Sequence, residues 1–346
     1  MTGAPDAPRW REDRLLGGFE ALTVPAPRLA GRPGPGTVVE PTAPVVTVVR
    51  RARDPEDAVR PRGRRGVVVL VHGYNDYVFQ EHVVAAFEAV GWDVVGVDLR
   101  RAGRSLREGQ VPHYVDDLRE TASDLDLAVR LSRVAGLPLV VHAHSTGGLV
   151  AALWAHAHRG SNPCDALVLD SPFLDLHASW VERTVGTRVL DVVGPWAPLA
   201  VVSEGPSAYA AHLLVENGGR WSFDTALKRP EGQPVRAGWL RAVRQGHARV
   251  ARGLDVACPV LVAHSARSGV DDAASPDLDR TDTVLDVAQI ARLAPRLGAD
   301  VTSLVVEDGV HDLTLSAPGP RAAYLDAVTA WWDERLADPG TAGVVA

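Results

Sequence analysis

From Gly66 onward the apolar residues fall into short unbroken runs, separated by longer stretches where they recur every three or four positions. The run Val67-Val68-Val69-Leu70-Val71 leaves no polar position for a solvent face, which predicts a strand buried on both sides, as in a parallel sheet. The runs at 93–98 (DVVGVD), 139–143, 166–170, 259–264 and 301–306 read the same way. Between them, 83–90, 114–135, 145–158, 284–297 and 320–337 predict helices; in the second, Val115, Leu118, Ala122, Leu125 and Val129 mark one face and Gly136 supplies a stop. Such an alternation implies an α/β fold: a doubly wound, mostly parallel sheet with helices on both faces.

The flanks and the middle differ. Residues 18–24 and 45–50 predict two further strands around a GRPGPG loop at 31–36, while 1–17 and 339–346 read as loose tails. The stretch 50–65 carries seven arginines among Asp54, Glu56 and Asp57 and reads as a solvated connection. Between 171 and 257 there are helical patterns without a clear buried strand, so the α/β core divides into 18–170 and 258–338 around an inserted helical cap. The cap holds Trp180, Trp196, Trp221 and Trp239, and a stripe of Val181, Val185, Val189 and Val192 at helical spacing. Such a stripe is ordinarily core; the functional alternative is an apolar pocket for an acyl chain.

Composition narrows the classes. The chain has 346 residues, 46% hydrophobic and 23% charged, enough to bury a large core. Its 36 basic against 43 acidic residues and net charge of −7 argue against nucleic acid as a partner. Lys228 is the only lysine, which reads as compositional bias. Two cysteines, Cys164 and Cys258, cannot make a disulfide framework, and each precedes a predicted strand at the end of the sheet away from the chemistry described next. No apolar run reaches transmembrane length and no secretory leader is visible, so the expected compartment is the cytoplasm.

The chemistry concentrates at Val140-Val141-His142-Ala143-His144-Ser145-Thr146-Gly147-Gly148: strand, sharp turn at a serine, helix. In such a nucleophile elbow the positions two before and two after the serine must be small; here they are Ala143, where glycine is usual, and Gly147. A serine hydroxyl needs a histidine to take its proton and a carboxylate to orient that histidine. His311, in the short segment after the last predicted strand, is the candidate base. His156 and His158, two apart on a helix, diverge and cannot share a metal. No cofactor is expected. Backbone amides of Tyr74, after the His72-Gly73 turn, and Thr146 are candidates for an oxyanion hole, with His72 a structural hydrogen-bonder. For the acid the residues leave Asp170, Asp175, Asp271, Asp272, Asp277, Asp279, Asp282 and Asp286 open; in the nucleophile-elbow fold the acid normally follows the strand after the cap, here the one ending near Ala263, which weakens the first two.

Together HGYNDY (72–77), DLRRAGRS (98–105), AHSTGG (143–148), LVLDSPFLDL (167–176), TDTVLDV (281–287) and GVHDLTLS (309–316) resemble the α/β-hydrolase superfamily, and within it the monoacylglycerol lipase and serine-aminopeptidase-like, or lysophospholipase-like, group. The resemblance spans about 66–336. It implies an α/β-hydrolase fold with an inserted cap, puts Asp282 in the acid's place with Asp279 next, and implies a Ser145-His311-Asp282 triad supported by His72, Gly73, Ala143, His144 and Gly147. The expected activity is hydrolysis of a small-molecule or lipid carboxylic ester through an acyl-enzyme. An aminopeptidase or amidase with the same triad would want a cap carboxylate such as Glu204 or Glu216 for a substrate ammonium; a non-catalytic binding protein is a third reading.

Overall fold

In the computed structural model, which describes residues 8–29, 41–53, 64–176, 194–204 and 207–337, the apolar runs become one nine-stranded sheet. β1 (Arg11–Glu12), β2 (Phe19–Pro25) and β3 (Val45–Arg51) form an antiparallel wing. Then come β4 (Gly66–Val71), α1 (Glu81–Ala89), β5 (Trp92–Asp98), α2 (Leu118–Ser132), β6 (Leu139–His144), α3 (Ser145–Ala157) and β7 (Ala166–Asp170). The described part of 171–257 contains β8 (Val201–Ser203), α4 (Ala208–Leu213), β9 (Val235–Arg236) and α5 (Ala237–Ala251), β8 and β9 making a separate two-stranded ribbon. β10 (Val260–Ser265), α6 (Val287–Leu293), β11 (Val301–Val306) and α7 (Pro318–Leu336) complete the core.

The strand order is β1-β2-β3-β5-β4-β6-β7-β10-β11, parallel from β5 to β11. In register, Val71 faces Ala143, His144 faces Asp170, and Ser265 faces Val306. The carboxyl ends of the central strands therefore share one rim, where ligands bind in open parallel sheets. Helices cover both faces because every residue of β4 is buried. Leu125 of α2, Leu149 and Trp154 of α3 and Val243 of α5 pack on one side; Phe87 of α1 and Tyr324, Val328 and Trp332 of α7 pack on the other. Full burial of such a side chain contributes about 1.5–3 kcal/mol.

Several expectations change. The segment 1–17 is not loose throughout: β1 pairs with β2, and buried Asp13 receives Arg104 Nε at 2.7 Å and Nη2 at 2.6 Å. Arg104 also reaches Asp98 at 2.9 Å, so one buried guanidinium needs two carboxylates and draws the N-terminal segment in. The helix expected over 284–297 begins at Val287, because Asp286 caps it by accepting from the Ala288 amide, and it gives way to a 3₁₀ turn at Ala294–Arg296. β11 is an edge strand with Val305 exposed. The last cap helix, α5, joins the main core: a Cβ on Gly246 would stand 3.0 Å from Leu118 Cδ1 and 3.1 Å from Leu153 Cδ1. Trp180, the valine stripe at 181–192 and the tail 339–346 lie outside the described residues. Cys164 and Cys258 are buried neighbours with sulfurs 3.7 Å apart.

Candidate active site

The β6–α3 junction holds Ser145 at φ +52°, a left-handed backbone that a serine adopts only under constraint. The constraint is visible in its neighbours. A Cβ on Gly147 would meet the His72 carbonyl oxygen at 2.4 Å, and one on Gly73 would meet Ser145 Cβ at 3.0 Å, so the turn after β4 is pressed against the elbow. Ala143 is fully buried, leaving the close approach intact. Thr146 is the second residue of α3, so its amide belongs to the first turn, which has no intrahelical acceptor. The His72 ring holds the opposing turn: Nδ1–H donates to the Gly73 carbonyl at 2.7 Å, and Nε2 accepts from the Leu99 amide at 3.1 Å. Both nitrogens are thereby occupied.

His311 reaches this point from the loop after β11. Its Nε2 lies 3.0 Å from Ser145 Oγ and its Nδ1 3.0 Å from Asp282 Oδ2, with all three residues buried. The other Asp282 oxygen, Oδ1, accepts from the amides of Val284 at 2.9 Å and Leu285 at 2.8 Å, so a tight turn fixes this carboxylate. Burial by itself would raise the Asp282 carboxyl; the facing His311 and the two amides outweigh it and hold the group below the usual carboxylate range.

The competing acids are engaged elsewhere. Asp279 pairs with cap residue Arg220 at 2.7 Å, Asp286 caps α6, Asp175 meets Arg244 at 2.9 Å, and Asp271 accepts from the Tyr209 amide at 2.8 Å. Two other serines are diverted as well: Ser105 Oγ donates to the Asp98 carbonyl and Ser265 Oγ to the Arg267 carbonyl. His156 and His158 point to different partners, Arg249 and the Trp154 carbonyl.

A buried polar layer beneath Ser145 and His311 escaped the sequence analysis. His144 stands edge-on to His311 with ring centroids 4.8 Å apart and lies between Asp170 and Asp312. Burial would push this imidazole down, but Asp312 and Asp170 raise it to about 9. Asp312 Oδ1 accepts from Thr314 Oγ1 at 2.6 Å, and its own amide donates to Tyr209 Oη at 2.9 Å. Asp170 Oδ1 accepts from the Leu313 amide at 3.3 Å. The three groups lie within 4.8 Å of one another, a spacing metal sites also show, and the two carboxylates favour the charged form of the imidazole beside them. The available signal was His-Asp at 311–312 and Asp170 at a strand end; the register of β6 on β7 was needed to join them.

Of the cap tryptophans, Trp239 stacks on Tyr74 at 4.2 Å and lines, with Tyr74, His113, Thr146 and Val150, a cavity of about 30 Å³ beside the elbow. Trp221 lies against His82, and Trp196 is exposed.

Comparison with known proteins places the chain in a family and a fold. Residues 62–316 match the family model described as serine aminopeptidase, S33. A monoacylglycerol lipase of Mycolicibacterium smegmatis is 29% identical over 280 residues, covering 77% of this chain and 88% of that protein. A soluble variant of the Saccharomyces cerevisiae monoglyceride lipase superposes with a TM-score of 0.60 at 16% identity over 97% of both chains. A monoacylglycerol lipase from Paleococcus ferrophilus gives 0.60 at 17% identity over 79% of this chain and 95% of that one. The last two establish the α/β-hydrolase fold, and the family and sequence relatives make the chain a lipase-like hydrolase. Among the described residues no helix is long and apolar enough to cross a membrane.

Proposed function

The chain belongs to the serine aminopeptidase S33 family of α/β-hydrolases, and from this premise we propose that it hydrolyses carboxylic esters of the monoacylglycerol or lysophospholipid kind through Ser145, His311 and Asp282. The observation that carries the proposal is the continuous path from Ser145 Oγ through both ring nitrogens of His311 to Asp282, with 3.0 Å at each step. Asp282 keeps the proton on Nδ1, leaving the Nε2 lone pair facing the serine hydroxyl. Ser145 Oγ attacks the ester carbonyl as Nε2 takes its proton; the oxyanion falls to the Tyr74 and Thr146 amides. The tetrahedral adduct expels the alcohol, which leaves with the proton from His311. Water, deprotonated by the same nitrogen, then attacks the acyl-enzyme, and collapse returns Ser145 and the free acid.

The aminopeptidase or amidase alternative needs a carboxylate at the site for an ammonium group; Glu204 and Glu216 are both solvent-exposed. The relation to a monoacylglycerol lipase favours an ester. Labelling with a fluorophosphonate, peptide mapping of the adduct, and a panel of p-nitrophenyl esters and monoacylglycerols test the proposal. Adduct on Ser145, its absence in Ser145→Ala, and turnover of the esters are expected. An adduct elsewhere, or retained turnover by Ser145→Ala, overturns the assignment.

A further inference from the structure

The turn that carries the Tyr74 amide continues as Tyr74-Asn75-Asp76-Tyr77, and all four side chains reach one cap segment, 224–234. Tyr74 Oη donates to the Pro234 carbonyl at 3.0 Å. Asn75, at φ +55°, makes a double bond with Arg229: Nδ2 donates to its carbonyl at 2.8 Å and Oδ1 accepts from its amide at 2.9 Å. Tyr77 Oη accepts from the Asp224 amide at 2.8 Å. Between these lies an ion pair, Lys228 Nζ to Asp76 Oδ1 at 2.9 Å, with both residues buried.

Lys228 is the single lysine among 36 basic residues, so arginine fills the role of cation everywhere else. The local geometry explains the exception. Its ammonium sits 5.4 Å from the Phe79 ring centroid and 5.6 Å from that of Phe223, against one oxygen of Asp76. A compact point charge fits beside two adjacent rings and against one acceptor, whereas a planar guanidinium carries five donors that would have to be satisfied there. Asp76 Oδ2 has no hydrogen-bond partner among the described residues, so Lys228 is its principal compensation.

We propose that the Asp76–Lys228 pair is the tie by which cap segment 224–234 sets the position of the Tyr74 amide, making Asp76 and Lys228 positioning residues for the oxyanion formed at Ser145. The inference rests on the ester-hydrolase reading above. Neither residue touches the reacting atoms. The pair anchors the turn two residues beyond Tyr74, while His72 and Gly147 fix it on the other side. Without the ion pair the amide is held only by the hydrogen bonds of Tyr74, Asn75 and Tyr77 and by His72, and is fixed less sharply against the developing charge; such placement acts on the transition state more than on the bound ester.

The test compares full-length wild type with Lys228→Met, Asp76→Asn and the double variant, using p-nitrophenyl ester kinetics, fluorophosphonate labelling rates and thermal unfolding. The double variant carries the decision where a single one fails to fold, because it leaves no unpaired buried charge. Well below the unfolding midpoint, kcat should fall roughly ten- to a hundredfold, part of the 10²–10³ that a lost oxyanion donor costs. KM should change less than about threefold, labelling should slow in step with kcat, and the double variant should be no worse than the sum of the singles. A folded double variant with kcat within about twofold of wild type, or a loss confined to KM, overturns the positioning role. A wild-type protein that neither turns over esters nor labels at Ser145 removes instead the hydrolase reading on which it stands.

Discussion

Replacing Asp282 by asparagine changes one oxygen to an amide nitrogen, and the surrounding donors dictate its orientation. Oδ1 of Asp282 accepts from two backbone amides, Val284 and Leu285, which cannot turn away. The asparagine oxygen must stay there, since three donors facing one another would leave buried groups unsatisfied at about 1–3 kcal/mol each. Its NH₂ group therefore faces His311 Nδ1, now 3.0 Å from a donor instead of an acceptor. The imidazole answers by moving its proton to Nε2, the nitrogen 3.0 Å from Ser145 Oγ. A protonated Nε2 cannot accept the serine proton. Loss of the correct tautomer costs about 10⁴ in kcat, with KM little altered because the carboxylate lies behind the imidazole. Ester kinetics on Asp282→Asn, Asp279→Asn and Asp286→Asn measure this directly. Asp279 makes an exposed pair with Arg220, worth about 0–1 kcal/mol, and asparagine caps a helix as well as aspartate does, so the latter two should stay within several-fold of wild type. Asp282→Asn within about tenfold of wild type, or a crippled Asp279→Asn, would refute the tautomer argument.

Four other outcomes follow from the same structure. His144 is raised in the folded protein from an ordinary 6.5 to about 9, so its stabilisation is complete below pH 6.5 and is lost as pH climbs toward 9. The unfolding free energy from urea titration, wild type minus His144→Gln, should shrink across that window by at most about 3 kcal/mol, and a flat difference would count against a charged His144. His113 and His247 shift the opposite way, to about 3 through burial, so they destabilise the fold as pH drops below 6.5; replacing either with glutamine should flatten the acid limb of the same titration. Arg104→Met strands buried Asp13 and Asp98 and should cost about 3–5 kcal/mol in chemical unfolding, whereas a change under about 1 kcal/mol would mean the N-terminal segment is not held as described. Gly147→Ala puts a methyl 2.4 Å from the His72 carbonyl and 3.1 Å from that of Val71; a forced shift of about 1 Å should lower kcat up to a hundredfold, and kcat within threefold of wild type would contradict the close packing of turn and elbow.

The order of elements and the sharp turn at Ser145 were legible in the sequence because both depend on local patterns, whereas His311 stood out only by its place after the last strand. A five-residue apolar run with no polar position is a buried strand wherever it sits, and small residues two before and two after a serine mark one sharp turn. Asp282 was reachable only with help from resemblance, since eight aspartates share the relevant stretches and each is equally acidic as a letter. Tertiary structure separates them by partner: Asp279 by Arg220 of the cap, Asp175 by Arg244, Asp282 by an imidazole 29 residues away. The same holds for the features that sequence missed. Asp13 read as part of a wet tail because its charge gave no sign of Arg104, 91 residues distant. Lys228 read as a compositional remnant because its meaning lies in Asp76 and two phenylalanine rings contributed by other segments. His144, Asp170 and Asp312 become one charged layer only when β6 and β7 pair in register and the loop after β11 folds over their ends. Hydrophobic periodicity is a property of neighbours along the chain, and so the sequence determined the scaffold and its sharpest turn. A buried charge is tolerated only beside its partner in space, and which residues become partners is decided by the fold.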